Sequence, residues 1–560
     1  MSSYDFVIIG GGSAGCVLAN RLSANGQYSV CLLEAGRDGK SALVDTPMGI
    51  LGLMNTSRYN WQFQGGPEPF QNNRTHYCPR GKALGGSSAI NAMLYIRGHK
   101  DDYENWTPSG NPEWTFDDLL PYFKRSMHQE RGESERHGVG GPLNVCDAPY
   151  RHPVAERFVM ATVEVGHTYN PDFNGSDQNG MGWYQLTMKN GERCSAAKAY
   201  LFPIEGRDNL TIISQAYVTR ILFEGKRAVG AEYEHQGKIQ AVEARREVLL
   251  CAGAVQSPQL LMLSGVGDPD ELGKHGISVV HPLTGVGKNL QEHADAVLVQ
   301  RRKKHDSVSL NPLQLMTQGG EFWKYWRNRK GLLSMPPVEA GGFMKSDPSL
   351  DRPDLQVQCI PALFDDHGRN FRLMMGWGYS VHINLLRPKS RGTLTLNSSD
   401  PKDKPKLQFN MMSHPDDVAL MIKGLRMMRE VFAAPAFEEF KGEEVFPGSQ
   451  AQSDEELAEF IRERGGHVYH PACTCKMGED EEAVVDYRLR VHGMENLRVV
   501  DISILPDLIS GNTNAPAIAI GEKASDMILS DTQESEEAQE ERVEQKQVVA
   551  KKVRQGELEL

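Results

Sequence analysis

The sequence predicts an α/β protein, and three observations carry that prediction. The chain opens on an apolar run that passes directly into a glycine turn and an amphipathic helix. A second β-rich run then closes a βαβ unit, and two more runs of the same kind recur far downstream. Tyr4 to Ile9 is short and apolar, as suits a strand buried on both faces. Gly10 to Gly15 turn the chain, and Ala14, Leu18, Ala19 and Leu22 fall on one helical face. Tyr28 to Leu33 is the second run and ends in Glu34. Glu247 to Cys251 reads as another core strand, followed by a glycine turn and a helix over Gln259 to Leu263; Leu497 to Asp501 repeats the strand pattern. The pieces of one sheet are therefore dispersed along the chain, and no internal repeat is visible.

At 560 residues the chain exceeds one simple core and calls for two intimately joined domains. A net charge of -12, with no basic patch interleaved with aromatics, excludes nucleic acid as the main partner. The nine cysteines are odd in number and scattered, which fits reduced thiols in a cytoplasm better than a disulfide framework. Cys473 and Cys475 form a C-x-C pair beside His470, but no second pair at ligand spacing follows, so no metal is expected. The first strand starts at once, without a basic n-region or cleavage site, and no stretch of about 18 apolar residues could span a bilayer. These features place the protein in the cytoplasm and leave peripheral contact with the inner face of the cell membrane, and a homo-oligomer, open. From Asp531 onward Glu, Gln, Lys and Arg dominate, and 531–560 is expected to be a solvated helix or a disordered tail.

Gly10-Gly11-Gly12-Ser13-Ala14-Gly15 is G-x-G-x-x-G set between a strand and a helix, with Glu34 closing the next strand 24 positions after Gly10. That context makes it a dinucleotide fingerprint. Gly10 permits the tight turn, Gly12 lets backbone approach a diphosphate, and Gly15 allows close helix packing. The helix start, with Ser13 and Ala14, offers free N–H groups to the diphosphate. Glu34, followed by Ala35, can accept from both ribose hydroxyls and would repel a 2'-phosphate, so the ligand is FAD or NAD rather than NADP.

Residues 81–98, GKALGGSSAINAMLYIRG, and 253–267, GAVQSPQLLMLSGVG, resemble the two signatures of the glucose-methanol-choline (GMC) oxidoreductases; with the fingerprint and HPACTCKMG at 470–478 the resemblance covers about residues 4 to 530. It implies FAD. It also implies a discontinuous Rossmann-like FAD-binding domain over 1–150, 205–304 and 465–530. A substrate-binding α+β domain on a mixed or antiparallel sheet would occupy 151–204 and 305–464. Small residues Gly85, Gly86 and Ser87 can lie flat against an isoalloxazine ring, and Asn91 can reach its N5 edge. Arg80, Ala92, Met93 and Leu94 complete that loop, with Val218 at the adenine and Asp501 beside the diphosphate and ribityl chain. Some relatives tether FAD through a His just before the Asn; Ile90 stands there, which predicts a non-covalent flavin.

The family's catalytic pair falls on His470 and Asn514. A neutral imidazole, with a reference pKa of about 6.5, suits acceptance of the hydroxyl proton as hydride leaves carbon for the flavin. Asn514 would hold the substrate oxygen without charge, and also suits an N-cap before Ala515-Pro516, aiming a helix dipole at the flavin. Asn512 is the competing candidate; the 44-residue spacing from His470 favours Asn514 by resemblance to the choline-oxidising branch. His293 reads as structural, His367 as a substrate-pocket residue and Glu339 as the carboxylate that a trimethylammonium would need. The resemblance implies oxidation of a primary alcohol, aliphatic in preference to choline, with electrons passed to a quinone or another carrier. A hydroxynitrile lyase with a redox-silent flavin is the alternative of another class, whereas the light-driven decarboxylase of this fold carries a Cys where Ala89 stands here.

Overall fold

The computed structural model describes residues 2–317 and 319–554. Its first sheet is built around β1 (Ser2–Ile9) and β2 (Val30–Glu34), parallel and joined through helix α1 (Ser13–Leu22). Leu210–Ser214 extends the sheet beyond β2, and Lys238–Leu250 pairs in parallel with β1 on the other side. Lys238–Leu250 is long enough to serve two neighbours. Its first half takes part in an antiparallel meander with Arg227–His235 and Tyr217–Glu224, and its end pairs in parallel with Leu497–Val499. Phe6 to Ile8, Val30 to Leu32 and Val248 to Leu250 are inaccessible to solvent, as continuous apolar runs covered on both faces must be. The carboxyl ends of four of these strands, at Gly10, Glu34, Cys251 and Val500, therefore meet at one edge, where an open parallel sheet forms its ligand crevice.

The second sheet is antiparallel throughout, in the order Glu443–Phe446, Ala294–Arg302, Trp377–Leu385, Leu355–Ile360, Ala340–Met344, Gly180–Trp183. The sequence boundary at 305 is displaced. Ala294–Arg302 pairs with Trp377–Leu385 along its full length and so belongs to this sheet, and Gly466–His467 also adds to it. The expected strand Glu247 to Cys251 is the end of a 13-residue strand, and the helix expected over Gln259 to Leu263 is α2 (Gly253–Leu263).

The C-terminal helix, Asn514–Arg554, runs beside α1. A Cβ on Gly521 would stand 3.0 Å from the Ala14 carbonyl, so glycine sets how closely the helices approach. Glu522, fully buried, accepts from Arg21, from Arg125 and from Tyr200 Oη at 2.8 Å. A buried carboxylate is tolerated only with such pairing. The charged stretch from Asp531 begins docked: Asp531 pairs with Arg498 and Arg488, and Glu536 with Arg246. Residues 555–560 of that stretch lie outside the described residues. Among the described residues no helix is long and apolar enough to cross a membrane.

Candidate active site

A long cavity runs along the crevice. One end is walled by Glu34, Ala35 and Val218, the middle by Gly10, Gly12, Ser13 and Ala14 with Ala252 and Gly253, and the far end by Arg80, Asn91, Met93, His470 and Asn512. The three fingerprint glycines are there for different reasons. A Cβ on Gly10 (φ +104°) would lie 2.5 Å from the Cys251 carbonyl oxygen, and one on Gly15 only 2.0 Å from that of Gly10. Those two glycines are required by the fold. A Cβ on Gly12 meets nothing nearer than 3.7 Å and points into the cavity, so protein packing does not require glycine there. The α1 N-terminus has no side-chain cap, which leaves its first N–H groups aimed at the same space. Both observations fit a diphosphate, and the donors and hydrophobic walls on either side fit the rest of a dinucleotide.

Glu34 is 6% exposed and accepts from Gly11 N at 2.8 Å and Gly36 N at 2.6 Å. Burial pushes its pKa up to about 7, against those two backbone bonds. Each oxygen keeps a lone pair for a ribose hydroxyl. Asp501 also lines the cavity, but its protein bonds are already made. It accepts from Gly253 N, Ser257 Oγ and Ser503 N, and so holds the start of α2. Gly86 packs its backbone on Gly12, where a Cβ would lie 2.7 Å from Gly12 Cα; Gly85 N donates to Gly11 O. Asn91 Oδ1 accepts from Met93 N and from buried Arg193, which fixes the amide at the cavity wall. Ser87 Oγ accepts from Arg80 Nε. Ile90 lines the cavity next to Asn91. Gly15, Gly85 and Ala515, expected as contacts, lie behind the wall and shape it from there.

The far end corrects the expected pair. Asn512, not Asn514, faces His470: its Nδ2 donates to His470 Nε2 at 3.1 Å, and its Oδ1 accepts from Gln356 Nε2 at 3.0 Å. Asn514 Oδ1 instead accepts from Ser13 Oγ at 2.7 Å, tying the C-terminal helix to the fingerprint loop. Its expected capping role passes to Thr513, whose carbonyl takes the first helical bond, from Ala517 N. Spacing in the sequence could not separate two asparagines only two positions apart. Both side chains line the cavity, and the turn between Gly511 and the helix sets one against His470 and the other against Ser13.

His470 is held by its own N–H, which donates to Glu292 Oε1 at 2.8 Å, and its ring meets His293 edge-on at 5.3 Å. Burial, then His293 and Arg80, drive its pKa well below the ordinary value, so the imidazole is neutral, and its Nε2 lone pair accepts the Asn512 amide. His293 lies between the Leu385 and Gly511 carbonyls, at 2.8 and 3.2 Å, and so pins the backbone that presents Asn512. Gln356, Glu292 and the buried His382–Asp295 pair (2.7 Å) were not visible as site residues. Their partners are long-range and no local motif marks them. Among the described residues His382 Nε2 has no partner, and its ring lines the cavity.

The two substrate candidates lie elsewhere. His367 bonds Tyr469 Oη at 2.7 Å and lines an adjoining polar cavity of about 700 Å³, separated from the main one by Tyr469 and His382. Glu339 does not line the main cavity, whereas its neighbours Pro337 and Val338 do. One Glu339 oxygen accepts from His152 N, the other has no partner, and burial pushes its pKa up to about 8. Leu94, Val338, Ile360 and Phe364 add apolar surface to the main cavity, beside polar Gln358, His382 and Tyr469. Among the described residues no three His, Cys, Asp or Glu side chains converge as metal ligands.

A parallel sheet with a diphosphate cradle at its carboxyl edge, opening onto a buried neutral imidazole, defines a dinucleotide-dependent oxidoreductase. Models of the GMC oxidoreductase N- and C-terminal regions match residues 4–295 and 388–521. The chain is 45% identical to the alcohol dehydrogenase [acceptor] of Pseudomonas putida, over 94% of this chain and 96% of that one. It is 42% identical to the mitochondrial choline dehydrogenase of Mus musculus, over 94% and 89%. In structure it is similar to a formate oxidase of Aspergillus oryzae RIB40 studied for its FAD modification, with a TM-score of 0.88, 27% identity and coverage of 95% and 99%. The chain belongs to the GMC oxidoreductase family, and its cofactor is FAD.

Proposed function

We propose that the protein oxidises an uncharged primary alcohol, aliphatic in preference to choline, to the aldehyde. The observation that carries this reading is the unprotonated His470 Nε2, set beside the Asn512 amide in a cavity whose wall also carries apolar Leu94, Val338, Ile360 and Phe364. When bound, FAD supplies the hydride acceptor, its N5. The alcohol oxygen would sit between His470 Nε2 and Asn512 Nδ2. Nε2 takes the hydroxyl proton, and the amide N–H stabilises the negative charge that develops on oxygen. Gln356 fixes the amide orientation through Asn512 Oδ1, so the donor needs no reorganisation as charge appears. Apolar walls exclude water and bind an alkyl chain.

Choline is disfavoured because the carboxylates in the cavity wall, among the described residues, are Glu34 and Asp501, both at the cofactor's nucleotide and diphosphate side. Ile90 supports a non-covalent flavin, and the [acceptor] relative supports an electron acceptor, which we read as a quinone or another carrier. Anaerobic mixing with hexanol, choline and an aromatic alcohol tests the reading. Bleaching of the flavin by hexanol but not choline is expected. Bleaching by choline alone would reassign the substrate, and a flavin left oxidised by every alcohol would favour a lyase.

A further inference from the structure

Segment 301–330 differs in charge from the rest of the molecule: it holds eight Lys and Arg against two acidic residues, in a chain whose net charge is -12. Within it lie two short helices, α3 (Pro312–Thr317) and α4 (Gly319–Asn328). On α4 only Tyr325 is buried, whereas Phe322, Trp323 and Trp326 are each about two-thirds exposed. Trp323 and Trp326, one helical turn apart, meet edge-on at 5.4 Å. Leu313 and Met316 of α3 are exposed as well, Met316 at 81%, and Phe371 and Met375 are exposed on the segment that Asn311 Nδ2 holds through the Met375 carbonyl.

Scattered exposed apolar residues are ordinary on a soluble surface. Two exposed tryptophans, a phenylalanine and further apolar side chains carried by adjacent segments are not. Exposed cations border them: Lys324, Arg327 and Lys330 on or just after α4, and Lys303 and Lys304 before α3. Tryptophan at the headgroup level, with Lys and Arg beside it, is the composition of a helix lying in a membrane interface. The clustered positive charge on an acidic protein argues for an anionic lipid surface over a second copy of this chain or a basic partner.

Both arms that carry the patch run into the wall of the main cavity. Pro337 and Val338 follow α4, and Phe364 precedes Phe371. We infer that α3 and α4 form an in-plane anchor that docks this face on an anionic bilayer and brings the substrate end of the flavin cavity beside it. For its purpose the proposal rests on the reading of the acceptor as a membrane carrier. The surface itself does not depend on that reading.

Flotation of the FAD-loaded enzyme with phosphatidylcholine vesicles, with and without about 30% phosphatidylglycerol, tests it. Co-flotation with the anionic vesicles is expected, weakened in high salt. W323S/W326S should lower partitioning by at least about tenfold, and K324E/R327E should abolish the preference for anionic lipid. Neither pair touches the flavin cavity, so alcohol-dependent flavin reduction in solution should be unchanged and shows that each variant is folded. Absence of flotation, flotation untouched by both variants, or a concentration-dependent dimer that W323S/W326S dissolves would overturn the anchor. Loss of alcohol-dependent reduction in the parent enzyme would overturn the functional reading instead.

Discussion

Replacing Asn512 by Ala removes one amide donor from a buried, water-poor site and leaves the His470 imidazole otherwise intact. A preorganised donor of this kind contributes about 3–4 kcal/mol to a developing oxyanion. At about 1.36 kcal/mol per tenfold, that is a loss of roughly 10²–10³ in the rate of flavin reduction. The lost bond strengthens as charge grows on oxygen, so the substrate concentration for half-saturation should change little. Replacing Asn514 by Ala removes instead the Ser13 Oγ contact. Its cost falls on FAD affinity, roughly five- to tenfold for about 1 kcal/mol, and reduction of the FAD-loaded variant should stay within a few-fold of the parent. Anaerobic stopped-flow at saturating FAD separates the two. A larger fall in reduction for Asn514→Ala than for Asn512→Ala would refute the assignment and restore the order that the sequence spacing favours.

Further outcomes follow from the same geometry. His470→Ala should keep FAD but slow reduction by about 10²-fold or more; an unchanged rate would remove the imidazole from the reaction. Because burial holds the His470 pKa far below the ordinary 6.5, protonation is reached only in acid, and the reduction rate should stay level from neutral pH down past 6.5. A fall centred near 6.5 would contradict that environment. Gly12→Ala should fold normally and lose most FAD binding, whereas Gly15→Ala should unfold locally, since only the latter Cβ meets backbone; equal melting losses for both would show that Gly12 is structural. Glu339 keeps its proton to about pH 8 in the folded state but releases it near 4.5 when unfolded, so its burial costs stability increasingly as pH rises through that window. Glu339→Gln should therefore raise the melting temperature by of order a degree or two at pH 8 and less at pH 5, with alcohol turnover preserved.

The sequence was most informative where function depends on backbone. The fingerprint, Glu34 and the loop from Gly85 to Leu94 are local patterns whose glycines and strand ends dictate where the chain must go, and the structure places them together. Side-chain direction was less legible. Asn512 and Asn514 share composition, neighbours and nearly the same spacing from His470, and only the geometry of the turn at Gly511 distinguishes them. Glu339 reads as an available lone acidic residue, yet Pro337 and Val338 just before it line the cavity in its place. His382, Asp295, Gln356 and Glu292 come from strands or loops far apart in the chain, so their meeting depends on sheet register that no local motif encodes. The boundary at 305 was misplaced for a related reason: Ala294–Arg302 reads as one more apolar strand, and only its pairing partner reveals which sheet it joins.

The contact between Ser13 and Asn514 joins residues 501 positions apart, and Glu522 fastens the same helix to Arg21. During synthesis the diphosphate cradle is therefore made first and the helix that completes the cavity last. The nascent chain must keep its opening βαβ unit, with its apolar strands, without this covering helix until nearly all of the polypeptide has emerged. Full cofactor capture then becomes a late event that closes the fold, and FAD supply acts on the yield of finished protein as well as on its activity. Truncation within the C-terminal helix before Glu522 would be felt at the first turn of the chain.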